Sequence, residues 1–210
     1  MRFSKPRAET TFASNPGGVE LKPLVYARYF PGPLLQLTFG AILAFAGLLL
    51  LIFTKGASAL LLLLGARLVT MGWQWMGRIE RHFLKGCALP GIVVATKPIT
   101  VAALTDLSTG GGATYNTVKI VKMPKLKRAG SGKLVEGDRV PVVALYSGRM
   151  PTPKWDDFYP SPVLFATNDP TEVARVEASI GQKEWREMDE ALTLIPKPYR
   201  PGLYPVDLST

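Results

Sequence analysis

The side chains that most often carry chemistry are scarce in this chain of 210 residues, which has one cysteine and one histidine. This count excludes an internal disulfide, a Cys/His zinc cluster made by this chain alone, and two histidine ligands to one haem. His82 and Cys87 lie five residues apart, but a Cys–His nucleophile pair needs an orienting group and a pocket. We therefore interpret them as an interfacial histidine and a small apolar cysteine, and we predict no metal and no cofactor.

Two further motifs are weak candidates for chemistry. The glycine run Gly110–Gly112 lacks the Gly-Lys-Ser/Thr ending and the following helix of a phosphate loop. Asp156 and Asp157 form a carboxylate pair beside Trp155 and Tyr159 in a Pro-rich loop. Surface recognition is a simpler role for this loop than acid catalysis or cation binding. We predict no catalytic residue, and therefore a protein that is not an enzyme.

The chain is basic, with a formal net charge of +9. One basic segment runs from Lys119 to Arg139 and suggests an anionic partner. Tyr115 is the only aromatic residue near it that is placed to stack on a base, which disfavours nucleic acid. A solvated loop, or contact with anionic phospholipid at a membrane surface, explains these charges more simply.

Two adjacent apolar runs dominate the first half of the chain. Charged residues make up only 20% of the sequence against 47% hydrophobic residues, which indicates an apolar block diluted by a polar remainder. Pro33–Phe53 has 21 residues and no charge, while Ala59–Gly77 has 19 residues and one charge, Arg67. Each run is long enough to cross about 30 Å of hydrocarbon as a helix. Because only TKGAS separates them, we predict an antiparallel transmembrane hairpin.

The flanks of the hairpin predict its orientation. Basic residues precede the first span and follow the second, whereas the connecting turn has only Lys55. The positive-inside rule places both termini in the cytoplasm and the turn outside, in a plasma (inner) membrane. Trp73 and Trp75 close the second span on the cytoplasmic side, where they fit an aromatic belt. The basic flanking residues are Arg2, Lys5, Arg7, Lys22 and Arg28 before the hairpin, and Arg78, Arg81 and Lys85 after it.

Arg67 falls about halfway along the second span, where a charge is costly. Its stem either snorkels to a headgroup or pairs with an acid from another protein, because neither apolar run contains Asp or Glu. Small residues recur along one side of each helix, namely Gly40, Ala44 and Gly47, and then Gly65 and Gly72. The simpler interpretation is that they pack the hairpin against itself and leave the remaining surface for lipid or a partner.

The remainder from Cys87 onward predicts an α+β cytoplasmic domain. Its alternating segments suggest five short strands and a small β-barrel of OB or SH3 type, from Cys87 to Asn168. The predicted strands are Leu89–Thr96, Ile99–Leu107, Tyr115–Met123, Arg139–Tyr146 and Val163–Thr167.

Two short helices are predicted after the barrel. Asp169 begins the first as its N-cap, and Gly181 is expected to end it as a left-handed C-cap. The second helix is amphipathic, with Trp185, Met188, Leu192 and Ile195 on a stripe that docks on the barrel. The proline-rich tail is extended. The predicted organisation is thus a basic extended segment over 1–32, the hairpin over 33–77, the cytoplasmic domain over 87–195 and the tail over 196–210.

This layout resembles small actinobacterial two-helix membrane proteins of unknown function. The resemblance lies in the hairpin Pro33–Gly77 and in the segments GCALPGIVVAT and VEGDRVPVVALYSG. It also looks like the accessory subunits of actinobacterial respiratory supercomplexes, which clamp catalytic subunits without carrying redox centres. The resemblance implies no site residues.

The expected function is that of a non-catalytic accessory subunit that stabilises a larger plasma-membrane complex, such as a respiratory cytochrome supercomplex. The expected partners are other integral membrane subunits and anionic phospholipid, without nucleic acid. The alternatives are a membrane-tethered protein or enzyme of envelope lipid metabolism that binds a lipid or small ligand, and a tethered nucleic-acid or regulatory module. The extended ends are expected to be held by a partner. The predicted contact residues are Arg67, Trp73, Trp75, Trp155, Tyr159, Tyr199 and Tyr204.

Overall fold

A computed structural model describes residues 13–51, 56–110, 113–123, 126–127, 129, 132–148 and 152–208. These residues fall into two compact units, which are Leu21–Arg81 and a β-rich unit made of His82–Thr210 together with the chain up to Glu20. Several residues used in the predictions lie outside the described ranges. They are Arg2, Lys5, Arg7, Lys55, Gly111, Gly112, Lys125 and Arg128.

The first unit is helical. A short helix α1 (Pro23–Ala27) leads into α2 (Gly32–Leu50), and α3 covers Ala57–Lys85. By length and composition, α2 and Ser58–Lys85 of α3 are both long and apolar enough to cross a membrane. Only 17% and 11% of their most apolar windows are buried within the protein. Such exposure is unlike the core helix of a soluble protein, which buries its apolar face.

Small residues bring α2 and α3 into close contact, which confirms that they pack the hairpin against itself. A Cβ added at Gly40 would lie 2.8 Å from the backbone nitrogen of Val69. One added at Gly47 would lie 2.5 Å from the backbone nitrogen of Leu62. Helix backbones that pack this closely tolerate only the smallest side chains at the contact.

The strands of the β-rich unit form two antiparallel sheets. The first has the order β1-β5-β6 and the second has the order β2-β3-β4-β7. The strands are β1 (Cys87–Leu89), β2 (Gly91–Thr96), β3 (Ile99–Asp106), β4 (Asn116–Lys122), β5 (Val142–Ser147), β6 (Asp157–Pro162) and β7 (Gly202–Pro205).

The predicted closed OB- or SH3-like barrel is not confirmed, because the described strands form two separate ladders. The segment predicted as one strand, Leu89–Thr96, is interrupted at Pro90. β1 on one side of Pro90 pairs with β5, while β2 on the other side pairs with β3. Proline has no N–H to donate to a ladder, which suits the point where the chain leaves one sheet for the other.

The predicted strand Val163–Thr167 is wrong. Val163–Phe165 forms a 3₁₀ turn, and the last strand of the first sheet is β6, which lies earlier, in the segment predicted to be a Pro-rich loop. The side chains of Val163–Phe165 are buried. These residues are therefore apolar because they lie in the core, although they do not pair with another strand. β6 lies at the edge of its sheet, where prolines are tolerated.

Two helices follow, close to the predicted positions. α4 (Pro170–Ser179) begins at Asp169, whose Oδ1 accepts a hydrogen bond of 3.0 Å from the Thr171 backbone N–H. α5 (Gln182–Thr193) packs on β3 and buries Trp185 and Met188. The left-handed C-cap predicted at Gly181 is wrong, because Gly181 has φ −62° and is the N-cap of α5. Its backbone N–H donates to the Glu184 carboxylate instead.

Both described ends of the chain are held by the β-rich unit itself. In the N-terminal segment, Gly17 N–H donates to Gly86 at 2.9 Å, and the Asn15 carbonyl accepts from Ala88 at 2.8 Å. The Arg175 guanidinium of α4 donates to the carbonyls of Gly17 and Gly18. In the tail, β7 pairs with β4. A partner protein is therefore not required to order these segments.

Candidate functional site

A cleft of about 540 Å³ opens in the β-rich unit. It lies where the N-terminal segment, the ends of β1, β3 and β5, and α5 come together. Its apolar lining residues include Leu89, Pro90, Leu104, Leu145 and Trp155. Its polar and charged lining residues include Lys85, Cys87, Thr105, Asp106, Ser108, Asn116, Tyr146, Glu184 and Glu187.

Tyr146 and Thr105 place two hydroxyls together on the cleft wall. Their oxygens lie 2.6 Å apart, joining β5 of one sheet to β3 of the other. Burial raises the pKa of Tyr146, and the negative charge of an ionised Cys87 or of Asp106 acts in the same direction. The Tyr146 hydroxyl is therefore protonated at neutral pH and serves as a hydrogen-bonding group.

Cys87 lines the same cleft as a neutral thiol. Burial raises its pKa, against the opposing hydrogen bond from Tyr146. Nucleophilic cysteines depend on a lowered pKa, so this environment does not activate Cys87. His82 is also engaged, because its Nε2 lies 2.9 Å from the Val143 carbonyl oxygen. Neither residue is placed as the nucleophile and base of a catalytic pair.

The carboxylates that line the cleft already bind backbone N–H groups or a lysine of the protein itself. Asp106 accepts hydrogen bonds from the backbone N–H groups of Ser108 (2.9 Å) and Tyr115 (2.8 Å), and so fixes the loop between β3 and β4. Glu184 caps the start of α5, and Glu187 lies 3.5 Å from the Lys183 ammonium. The cleft thus offers mainly the Tyr146–Thr105 hydroxyl pair beside apolar side chains, which suits a small ligand that carries hydroxyl or amino groups.

Asp157 lies outside the cleft lining and forms an ion pair with Lys119. The Lys119 Nζ lies 2.7 Å from each Asp157 carboxylate oxygen and 2.7 Å from the Phe158 carbonyl oxygen. The same ammonium lies 4.7 Å from the ring centre of Tyr159. Lys119 belongs to the basic segment in the sequence. In the structure it links β4 to β6 through this ion pair and is not a free surface charge.

The predicted contact residues are dispersed over the chain. Arg67 is exposed in the first unit, as are Trp73 (74%) and Trp75 (53%). In the β-rich unit, Tyr159 is 55% exposed but Trp155 is buried in the cleft wall.

The two tyrosines of the tail are half-buried. The Tyr199 hydroxyl donates to Leu192 at 3.3 Å, and the Tyr204 hydroxyl donates to Arg200 at 2.9 Å. Both therefore use their polar group within their own domain.

No sequence motif marks Tyr146, Thr105 or Asp106. The first two lie within strands and resemble ordinary strand residues. Asp106 has a recognisable signal, since Asp at the end of a strand favours an Asx turn, in which its side chain accepts from the backbone N–H two residues on. Their convergence depends on the pairing of distant strands, which a single sequence does not show.

Comparison with known families assigns the chain. Residues 74–195, more than half of the chain, match a family described as "Protein of unknown function (DUF3239)". The chain belongs to this family. The match begins within α3 and covers six of the seven strands together with α4 and α5.

Other comparisons add little to the DUF3239 assignment. No curated protein matches the chain. A crystal structure described as "a putative membrane protein from Corynebacterium diphtheriae" is similar, with 19% sequence identity and a TM-score of 0.46. The similarity covers 57% of this chain and 99% of that one.

Proposed function

We propose that this DUF3239 protein is a non-catalytic integral membrane protein that acts as an accessory subunit of a larger plasma-membrane complex. The observation that carries the proposal is the paired helices α2 and α3, whose outward faces expose many large apolar side chains. These faces include Phe39 (58% exposed), Ile42 (65%) and Leu60 (71%). Exposed side chains of this size suit lipid tails or the helices of other subunits.

Charge supports a topology with both termini in the cytoplasm. Arg78, Arg81 and Lys85 at the end of α3 are all exposed, where they suit the positive-inside rule and contact with anionic phospholipid. The complex we name first is a respiratory cytochrome supercomplex. That choice rests on the resemblance of the layout to supercomplex accessory subunits.

Gentle purification from native membranes tests the proposal. The full chain carries a C-terminal tag, the membranes are solubilised in a mild detergent, and the eluate is separated on a native gel and identified by mass spectrometry. We expect at least one other integral membrane protein in stoichiometric amount. Migration as a free 22.9 kDa species without a companion would overturn the proposal.

The cleft favours a second candidate, a membrane-tethered protein that binds a lipid headgroup or another small ligand. A ligand held between the basic segment Lys119–Arg139 and the Asp156–Asp157 pair is not supported, because neither aspartate and none of the described residues of that segment lines the cleft. The hydroxyl pair of Tyr146 and Thr105 is the better anchor for a ligand. Cleft volumes of several hundred Å³ are typical of small-molecule sites.

Native mass spectrometry of the full chain in detergent tests this second candidate. If the cleft holds a ligand, the wild type retains a discrete added mass that Tyr146→Phe loses. Tyr204→Phe, which also removes one tyrosine hydroxyl but lies outside the cleft, should retain the added mass. Absence of any added mass, or equal retention by both variants, counts against a ligand at this hydroxyl pair.

A further inference from the structure

The two sides of α3 differ in chemistry. The side that faces α2 is defined by the backbone contacts of Gly65 with Ala44, and of Leu62 and Ser58 with Gly47. Gly72 of α3 also lies on this side, against Leu37 of α2. At about 100° per residue these positions share one face of the helix. The residues on this face are occupied by contacts with α2.

The opposite side of α3 carries a second regular pattern, which we call the α3 seam. Its positions follow one another at alternating spacings of three and four residues, and all but the half-exposed Gly77 are exposed. Helices use this heptad spacing where they pack against another helix. The α3 seam consists of Leu60, Leu63, Arg67, Thr70, Gln74, Gly77 and Arg81.

The polar residues of the predicted second span are concentrated on this seam. Thr70 satisfies its hydroxyl within the helix by donating to the Ala66 carbonyl at 2.9 Å. By contrast, no hydrogen bond or ion pair joins the Arg67 or Gln74 side chain to another of the described residues. Charged side chains inside a membrane face the interior of a bundle or a polar partner far more often than lipid tails.

A second copy of this chain does not suit the seam. Two copies inserted in the same orientation would bring their α3 helices together in parallel, with Arg67 facing Arg67 and Arg81 facing Arg81. Like charges at such close range repel strongly in a medium of low dielectric constant. The partner that complements the seam is instead a helix that places a carboxylate beside Arg67 within the membrane. The same helix would place small or amide side chains beside Thr70 and Gln74.

We propose that the α3 seam docks a transmembrane helix of a different membrane protein, one whose Asp or Glu pairs with Arg67 inside the bilayer. This inference rests on the proposed function as a membrane subunit and assigns the face and chemistry of the contact. Gln74 and the close approach allowed by Gly77 extend the contact toward the cytoplasmic end of α3.

Photo-crosslinking in native membranes tests the inference. The crosslinker p-benzoylphenylalanine replaces Leu63 or Gln74 in the full-length chain, and as a control it replaces Phe39 on the outward face of α2. We expect the two seam positions to crosslink to one membrane protein, within a span that contains Asp or Glu. The Phe39 position should not crosslink to that span.

Charge variants make the test specific for the ion pair. Arg67→Leu renders α3 more apolar and so preserves insertion, which the amount of protein in the membrane fraction checks. We expect Arg67→Leu to reduce the crosslink about tenfold, as loss of a strong polar contact between helices predicts. Arg67→Lys, which keeps the charge, should retain most of the crosslink.

Several results would overturn the inference. One is that the seam positions crosslink only to lipid or to a second copy of this chain. Another is that the crosslinked span of the partner contains no Asp or Glu. The third is that Arg67→Leu, present in the membrane at the normal level, crosslinks as strongly as the wild type. If a companion co-purifies but crosslinks only through the Phe39 position, the seam is wrong while the proposed function stands. If nothing co-purifies with the wild type, the proposed function fails as well.

Discussion

At the scale of single residues, several described polar side chains of the β-rich unit hold its elements together. Lys119 is the clearest case, since its ammonium donates hydrogen bonds to the Asp157 carboxylate and the Phe158 carbonyl while only 16% of its side chain is exposed. In the sequence, Lys119 is one of two lysines in a strand with alternating polarity. Its role depends on strand β6, which was not predicted because its segment is rich in proline.

Lys119→Met should destabilise the β-rich unit by about 1.5–3 kcal/mol, because hydrogen bonds to charged groups are lost and Asp157 loses its ion-pair partner. Lys122→Met is the matched control, since Lys122 is exposed at the end of the same strand, and it should change stability by less than about 0.5 kcal/mol. Denaturant unfolding of the full chain in detergent measures both. Equal stabilities of the two variants would contradict the role assigned to Lys119.

The pH dependence of stability follows from Tyr146 and Cys87, whose pKa values are raised in the folded state by burial. The folded state holds both protons more tightly than the unfolded state, so their contribution is complete below about pH 8.5 and is lost as the pH rises. The melting temperature of the full chain should therefore fall between pH 8 and pH 11.

The variant Tyr146→Phe should flatten the part of this decline near the unfolded-state tyrosine pKa of about 10. Tyr204→Phe, which also removes one tyrosine hydroxyl but lies outside the cleft, is the matched control. A profile for Tyr146→Phe that matches the wild type would show that Tyr146 does not carry this dependence.

At the scale of elements, the long and strongly periodic segments were predictable from the sequence. The apolar runs correspond to α2 and α3, Asp169 starts α4, and the stripe with Trp185 and Met188 is buried on α5. The two misassigned elements share one cause. Their amino-acid composition reflects where they lie in the folded domain and not which secondary structure they adopt. Val163–Phe165 is apolar because it lies in the core, and β6 tolerates prolines because it lies at a sheet edge.

The close packing of the hairpin predicts a cost for any side chain at its glycines. Gly47→Ala places a Cβ 2.5 Å from the Leu62 backbone nitrogen and should destabilise the hairpin by about 1–3 kcal/mol, as overpacking usually does. Gly32→Ala is the control, because its Cβ would meet no atom within 4 Å. Titration of the purified chain with sodium dodecyl sulfate in mixed micelles measures the difference. Equal unfolding midpoints would contradict the contact.

At the scale of the whole molecule, the chain combines an apolar helical unit with a β-rich unit that holds both described ends of the chain. The sequence predicted these two chemical classes of segment, because apolar runs and alternating strands are local patterns. It could not predict the cleft or the Tyr146–Thr105 contact, which joins residues 41 positions apart in the chain.

The proposed topology predicts the accessibility of single cysteines in a Cys87→Ser background. Thr54→Cys in the connecting turn should react with a membrane-impermeant maleimide in intact cells, whereas Thr193→Cys at the end of α5 should react only after permeabilisation. The physical basis is the excess of basic residues on the flanks of the hairpin. Labelling of Thr193→Cys in intact cells would contradict cytoplasmic termini.

The α3 seam is proposed to place this DUF3239 protein in a membrane complex. The most direct measurement purifies tagged wild type and Arg67→Glu in parallel from native membranes and quantifies what co-elutes. We expect a stoichiometric integral membrane companion with the wild type and its loss with Arg67→Glu at equal membrane levels. A companion retained equally by both proteins, or none with the wild type, would contradict docking through Arg67.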